Sequence, residues 1–180
     1  MNAARHSGRL VLGALGAGAV ALALAAGGED YNFMPKGGKT LLLELVGASS
    51  AQLRSLAQER RTEAQWREFA DAQKKPMTEK ERATLAAYLF VNMPLAAAAQ
   101  GAPVLPRDGR ELAWEECQSC HSLFAGYLTQ GRGAQGWRNM FMSPFHRGLK
   151  MSPQEREEFS RYSEINMPMK IEDVPPDLRF

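Results

Sequence analysis

Met151-Ser152-Pro153-Gln154-Glu155-Arg156, followed by Tyr162 and by Asn166-Met167-Pro168, is the second use of a pattern that the chain already contains. Its first use is Met77-Thr78-Glu79-Lys80-Glu81-Arg82, then Tyr88 and Asn92-Met93-Pro94, at a constant offset of 74. Further toward the N-terminus the offset becomes 71. Gly38-Lys39-Thr40-Leu41 falls on Gly109-Arg110-Glu111-Leu112, and Trp66-Arg67 on Trp137-Arg138, without a gap between them. The change of offset is a three-residue insertion in the second copy. Such identities in one order, with a single short gap, indicate a duplicated unit of about seventy residues. The competing reading makes residues 38–94 an unrelated helical docking domain.

The pattern is helical. Thr62 with Gln65, Thr78 with Glu81, and Ser152 with Glu155 each carry the hydroxyl-x-x-Glu/Gln signature of a helix start. Pro153 stands in a first turn, where its missing N–H costs nothing. Leu85, Tyr88 and Leu89 recur at helical spacing, and Phe159 and Tyr162 repeat this in the second copy. No strand pattern of useful length occurs. The expected fold is all-α, with three short helices per copy. The Pro-containing stretch Gly101 to Asp108 reads as the linker. The expected divisions are 1–28, 29–100 and 101–180.

Composition narrows the function classes. With 44% apolar and 23% charged residues in 180, the chain is globular rather than disordered. A net charge of +2, with no basic cluster longer than Arg60-Arg61 or Lys74-Lys75, argues against nucleic acid as a partner. Residues 1–9 contain Arg5 and Arg9 and no acid, and Leu10 to Ala26 is an unbroken apolar run. That is the pattern of a secretory signal, and Ala23-Leu24-Ala25 offers a cleavage site. The run also sits at the lower edge of a membrane-spanning length. Residues 1–28 therefore read as a signal peptide or an N-terminal membrane anchor, with membrane contact possible through residues 10–26. The expected location is the periplasm or the periplasmic face of the inner membrane.

In an exported chain, Cys117-Gln118-Ser119-Cys120-His121 is the attachment sequence of a c-type haem. Two thiols three residues apart reach the two vinyl groups on one haem edge, and the next residue turns its imidazole toward the iron. Rival readings are weaker. A thioredoxin-like redox pair needs a βαβ surround. Zinc needs a fourth ligand, which His146 could supply, but structural zinc sites more often pair two knuckles. A disulfide across so short a loop is strained.

The second copy also carries Trp137, Gly148, Met151-Ser152-x-x-Glu155, Tyr162 and Asn166-Met167-Pro168 after that motif. In this order it resembles the small class I c-type cytochromes over residues 108–170, and residues 38–94 join only through the repeat. The tandem arrangement is similar to dihaem cytochromes, including subunits of sulfide- and sulfite-oxidising enzymes. The resemblance implies two cytochrome c-like helical domains, the second holding one covalent haem c on Cys117, Cys120 and His121. The first copy departs from the pattern, because Val46, Ser49 and Ser50 occupy the aligned positions. Its lost haem volume must be refilled, and Leu42, Leu45 and Val46 are the candidates.

The sixth iron ligand is where the family pattern gives out. The family often places a methionine seven residues after the Trp, and here Pro144 stands there. Proline interrupts the helix beginning near Trp137, so the following loop should supply the ligand. His146 is the first candidate, with Met142 and then Met140 as alternatives. Met93 and Met167 recur in both copies and read as packing. Trp66 and Trp137 read as core, and Arg132, Arg138 and Arg147 as candidate partners of the haem propionates. No catalytic nucleophile or acid–base pair is identifiable. The expected function is single-electron transfer by a monohaem cytochrome, not itself an enzyme. It would work with redox partner proteins, docked on a dehydrogenase or on a respiratory or photosynthetic membrane complex. The alternatives are a haem-based sensor or ligand-binding protein, and a haem subunit that takes part in catalysis.

Overall fold

The structure is a computed structural model that describes residues 31–95 and 103–180, so the expected leader or anchor of residues 1–28 lies outside the described residues. Every regular element among them is helical, as expected for an all-α chain. The order is α1 (Gly38–Val46), α2 (Ala51–Leu56), α3 (Glu63–Asp71), α4 (Glu79–Asn92), α5 (Gly109–Cys117), a π-turn (Phe124–Leu128), α6 (Ala134–Met140) and α7 (Pro153–Asn166). Two 3₁₀ turns follow at Ile171–Asp173 and Pro176–Leu178. Helices α1 and α5 start and stop at residues 71 apart, and α4 and α7 at residues 74 apart. No described helix is long and apolar enough to cross a membrane.

The three predicted capping pairs all form. Thr62, Thr78 and Ser152 each accept from the backbone N–H three residues on, and Gln65, Glu81 and Glu155 return the bond. Asp108 and Glu111 do the same for α5, so the residue read as the end of a linker is a helix cap. The expectation of three helices in the first copy is corrected to four. The extra one, α2, is six residues long and starts at Ser50, whose Oγ accepts from Leu53 N. Six residues are too few to show a 3.6 period.

Packing repeats as well. Helix α1 crosses α4, α5 crosses α7, and α4 lies against α7 to join the halves. The crossings need glycine: a Cβ on Gly38 would fall on Tyr88 Cβ, and one on Gly109 on Tyr162 Cβ. There are two buried cores. Leu41, Leu42, Leu53, Leu56, Trp66, Leu85 and Leu89 build the first. Leu112, Tyr127, Leu128, Trp137, Phe141 and Phe159 build the second. The segments leading into the two halves are exchanged between these cores. Met34, with Tyr31 and Phe33, belongs to the second core, while Leu105 packs on the first. Tyr88 Oη donates to Pro106 O (2.9 Å) and Tyr162 Oη to Pro35 O (2.6 Å), two carbonyls that are themselves 71 residues apart.

Across the α4–α7 contact, Asn92 Nδ2 donates to Glu158 Oε2 (3.3 Å) and Asn166 Nδ2 to Thr84 Oγ1 (2.9 Å). Positions 84 and 158 are equivalent, so the pairing is reciprocal and Glu158 alone breaks its chemistry. Glu158 is buried and also accepts from Gly109 N (3.0 Å). Burial, then the neighbouring Asp108, pushes its carboxyl up to about 8. The folded chain thus holds a proton that the unfolded chain has released above the ordinary carboxylate range. This contribution to stability is full below the ordinary carboxylate range and is lost as pH rises from there through about 8, by on the order of 3–5 kcal/mol in all. Thermal unfolding between pH 5 and 8.5 should show this decline, and Glu158→Gln should remove most of it. An equally steep decline in the variant would place its origin elsewhere.

Candidate functional site

Helix α5 ends at Cys117, and Cys120 and His121 lie in the turn that follows. Together with Glu116, Gly126, Tyr127, Met140, Phe145, His146 and Leu149 they line a cavity of about 420 Å³. That volume falls within the range of cofactor clefts, about 300–1,000 Å³. Both thiols are free. Burial, then Glu116 and Cys120, pushes the Cys117 thiol up to about 12, so at neutral pH it is not the thiolate that a redox-exchange pair requires. No group of three or more His, Cys, Asp or Glu side chains is arranged to hold a bare metal ion among the described residues, which leaves the zinc reading without a ligand set.

His121 Nδ1 lies 3.0 Å from Ser122 O. A carbonyl only accepts, so Nδ1 carries the proton and Nε2 keeps a free lone pair, the arrangement by which proteins orient a ligating imidazole. Gly126 makes room for this ring: a Cβ there would fall on Cε1 and Nδ1 of His121. The first copy has neither partner of that fit. Ser50 stands at the position of His121 and caps α2, and Ser55 stands at the position of Gly126. Where the second copy follows the histidine with a π-turn, the first has an ordinary α-helix.

His146 enters from the loop between α6 and α7, the segment that the three-residue insertion lengthens. A turn holds it, His146 N and Arg147 N both donating to Ser143 O (3.1 and 2.9 Å). Arg156 of α7 pins the loop by donating to Arg147 O (3.0 Å) and Met151 O (3.2 Å). His146 Nδ1 is buried without a hydrogen-bond partner. Burial, then His121 and Arg132, lowers the imidazole below its ordinary pKa and favours the neutral form that a ligand needs. The ring centres of His121 and His146 are 6.2 Å apart, with the planes inclined at 78°. This is the spacing of an ordinary edge-to-face ring pair, and it is short enough for both imidazoles to hold one metal ion from the same cavity wall.

The other sequence candidates sort themselves. Met140 is on the cavity wall, whereas Met142 is 78% exposed and is not. Met93 and Met167 are buried packing, and Trp66 and Trp137 are fully buried. Arg132 stacks over Trp137 (5.3 Å), as Arg61 stacks over Trp66 (4.6 Å) in the copy without the cysteines, so a cofactor does not explain its placement. Arg138 is committed to Glu157 (2.6 Å). Arg147 makes no ion pair with another described residue. At the proposed filling positions Leu42 is fully buried, where the second copy has Ala113, while Leu45 and Val46 are half-buried against the first core. Sequence reasoning missed Gly126, Tyr127, Phe145 and Leu149. For Gly126 a signal existed, in the pairing of His with Gly in one copy and Ser with Ser in the other. No family model, curated protein or solved structure matches this chain significantly.

Proposed function

We propose that the chain is an exported monohaem c-type cytochrome that passes single electrons, with one haem c attached to Cys117 and Cys120. In this reading His121 and His146 would hold its iron. The observation that carries it is that Cys117, Cys120, His121 and His146 line one cavity, with the two imidazole centres 6.2 Å apart. Haem bound there would supply reversible one-electron exchange at its iron. The chain supplies the rest. Cys117 and Cys120 fix one edge, the Ser122 carbonyl sets the tautomer of His121, and the Arg156-pinned loop holds His146 in place.

In this reading residues 29–100 are a cytochrome c-like domain without haem, and residues 101–180 are the haem domain. The matched helix bounds, the paired Gly–Tyr crossings and the reciprocal Asn bonds support descent from one unit. The two halves also complete each other's cores, which suits a subunit docked on a dehydrogenase or a membrane complex. The working location is the periplasm or the periplasmic face of the inner membrane, with residues 1–28 as signal or anchor.

A saturated carrier and a sensor differ in one measurement. The reduced holoprotein should titrate as a one-electron couple and should leave its absorption spectrum unchanged under carbon monoxide. Stoichiometric carbon monoxide binding would overturn the carrier reading in favour of a haem sensor or a catalytic haem.

A further inference from the structure

One residue before the paired glycines of the helix crossings the two copies differ, Gly37 standing where the second copy has Asp108. Both positions are helix N-caps with the same extended backbone, φ −78° and ψ 163° at Gly37, φ −89° and ψ 172° at Asp108. Any residue adopts those angles, so conformation does not call for glycine at 37. Space does. A Cβ on Gly37 would lie 2.1 Å from Cγ and from both carboxylate oxygens of Asp108. Those two oxygens are shared between the copies. Oδ1 accepts from Arg110 N and Glu111 N (both 3.1 Å) at the start of α5. Oδ2 accepts from Lys39 N (3.2 Å) and Thr40 N (3.4 Å) at the start of α1, whose own cap residue has no side chain to offer. One fully buried carboxylate therefore caps two helices that belong to different copies.

The other polar contacts across the joint do not tell one copy from the other. Asn92 bonds Glu158 and Asn166 bonds Thr84, while Lys39 Nζ bonds Glu111 (2.7 Å) and Arg110 Nη2 bonds Thr40 Oγ1 (3.0 Å). Two identical halves would keep a donor facing an acceptor at each of these places: Asn with Glu and Arg with Glu, or Asn with Thr and Lys with Thr. At 37 and 108 they would not. Two second halves would bring two carboxylates into one buried space. Two first halves would leave the first-turn N–H groups of both helices without this acceptor. We infer that Gly37 and Asp108 form a pairing lock, by which the second half of the chain accepts the first half as its partner and rejects a second copy of itself. The selectivity lies at one position because a carboxylate fits there once, from either side. A consequence, which rests on the haem reading although the lock does not, is that two haem-bearing halves never share this joint.

Each pairing can be built into the full-length chain. Gly37→Asp reproduces the joint between two second halves, and Asp108→Gly the joint between two first halves. Gly37→Asp/Asp108→Gly returns one carboxylate from the opposite side. The readout is urea unfolding followed by far-ultraviolet circular dichroism, which reports helix whether or not haem is bound. Gly37→Asp should raise the unfolding constant about a hundredfold and Asp108→Gly about thirtyfold. The exchanged pair should be at least about tenfold more stable than either single variant. Gly37→Ala/Asp108→Gly fills the space without an acceptor and should stay within about threefold of Asp108→Gly. If Gly37→Asp does not accumulate as folded protein, the comparison of the exchanged pair with Asp108→Gly decides. An exchanged pair that does not fold, or that is no more stable than Asp108→Gly, would overturn the lock. Equal recovery in Gly37→Ala/Asp108→Gly would overturn it as well, by reducing the pair to a matter of volume.

Discussion

His146→Ala should convert the holoprotein from a closed to an open iron site, the largest functional change that any single substitution here is expected to make. The wild-type chain should show the low-spin spectrum of two histidine ligands and ignore carbon monoxide. The variant should become high-spin in the ferrous state and bind carbon monoxide stoichiometrically. The reason is geometric. In the proposed site His146 is the second imidazole on the cavity wall, with its ring centre 6.2 Å from that of His121, and the alternative on the wall, Met140, sits at the end of α6 rather than on the inserted loop. Met142→Ala should leave the spectrum untouched, since that side chain is exposed and off the wall. His146→Met, if it ligates, should raise the reduction potential, by on the order of 100 mV, because a thioether favours ferrous iron. A methionine-to-iron charge-transfer band surviving in His146→Ala would transfer the role to Met140 or Met142.

Gly109→Ala should be the most destabilising single methyl group in the molecule. The new Cβ would lie 2.1 Å from Tyr162 Cβ, an atom fixed to the backbone that no rotamer change can move. The tyrosine is also anchored at its other end, where its hydroxyl donates to Pro35 O. The α5–α7 crossing must therefore open. Overpacking of this kind costs about 3 kcal/mol or more. Gly38→Ala should behave alike, because it meets Tyr88 in the same manner and Tyr88 is tied to Pro106 O. Gly148→Ala faces open space and should fall within about 0.5 kcal/mol of wild type. Urea unfolding of the three holoprotein variants checks this. Comparable loss in Gly148→Ala, or none in Gly109→Ala, would contradict the packing account.

The helical class was legible because its signals are local. Caps such as Thr78–Glu81 and Ser152–Glu155 involve residues three apart, and the repeat doubled every observation. Helix α2 escaped because a six-residue helix has less than two turns in which to display a period. Asp108 escaped because it was read with the proline-containing stretch before it, although Asp108-x-x-Glu111 is itself a capping pair. The exchange of leading segments could not be read at all. Met34 and Leu105 look equally apolar in sequence, and nothing local to either says which core it enters.

The site was legible to the extent that its chemistry is contiguous. Cys117, Cys120 and His121 announce themselves by spacing. His146 is twenty-five residues further on, and the repeat was silent there because the three extra residues fall in its loop. Its position opposite His121 depends on the turn at Ser143 and on Arg156 from α7, neither of which has a sequence signature. Gly126 carries the more general lesson. A glycine that accommodates a ring becomes meaningful only beside its counterpart, Ser55, in a copy that has no such ring.

The central claim is a single covalent haem on the second copy. The direct measurement is iron and haem content of the full chain produced with cytochrome c maturation machinery, before and after acid–acetone extraction. The account predicts one iron and one haem per chain, retained through extraction, with covalent attachment through both sulfurs lost in Cys117→Ala and in Cys120→Ala. Haem that extracts freely from the intact chain, or an iron count near zero or two, would contradict it.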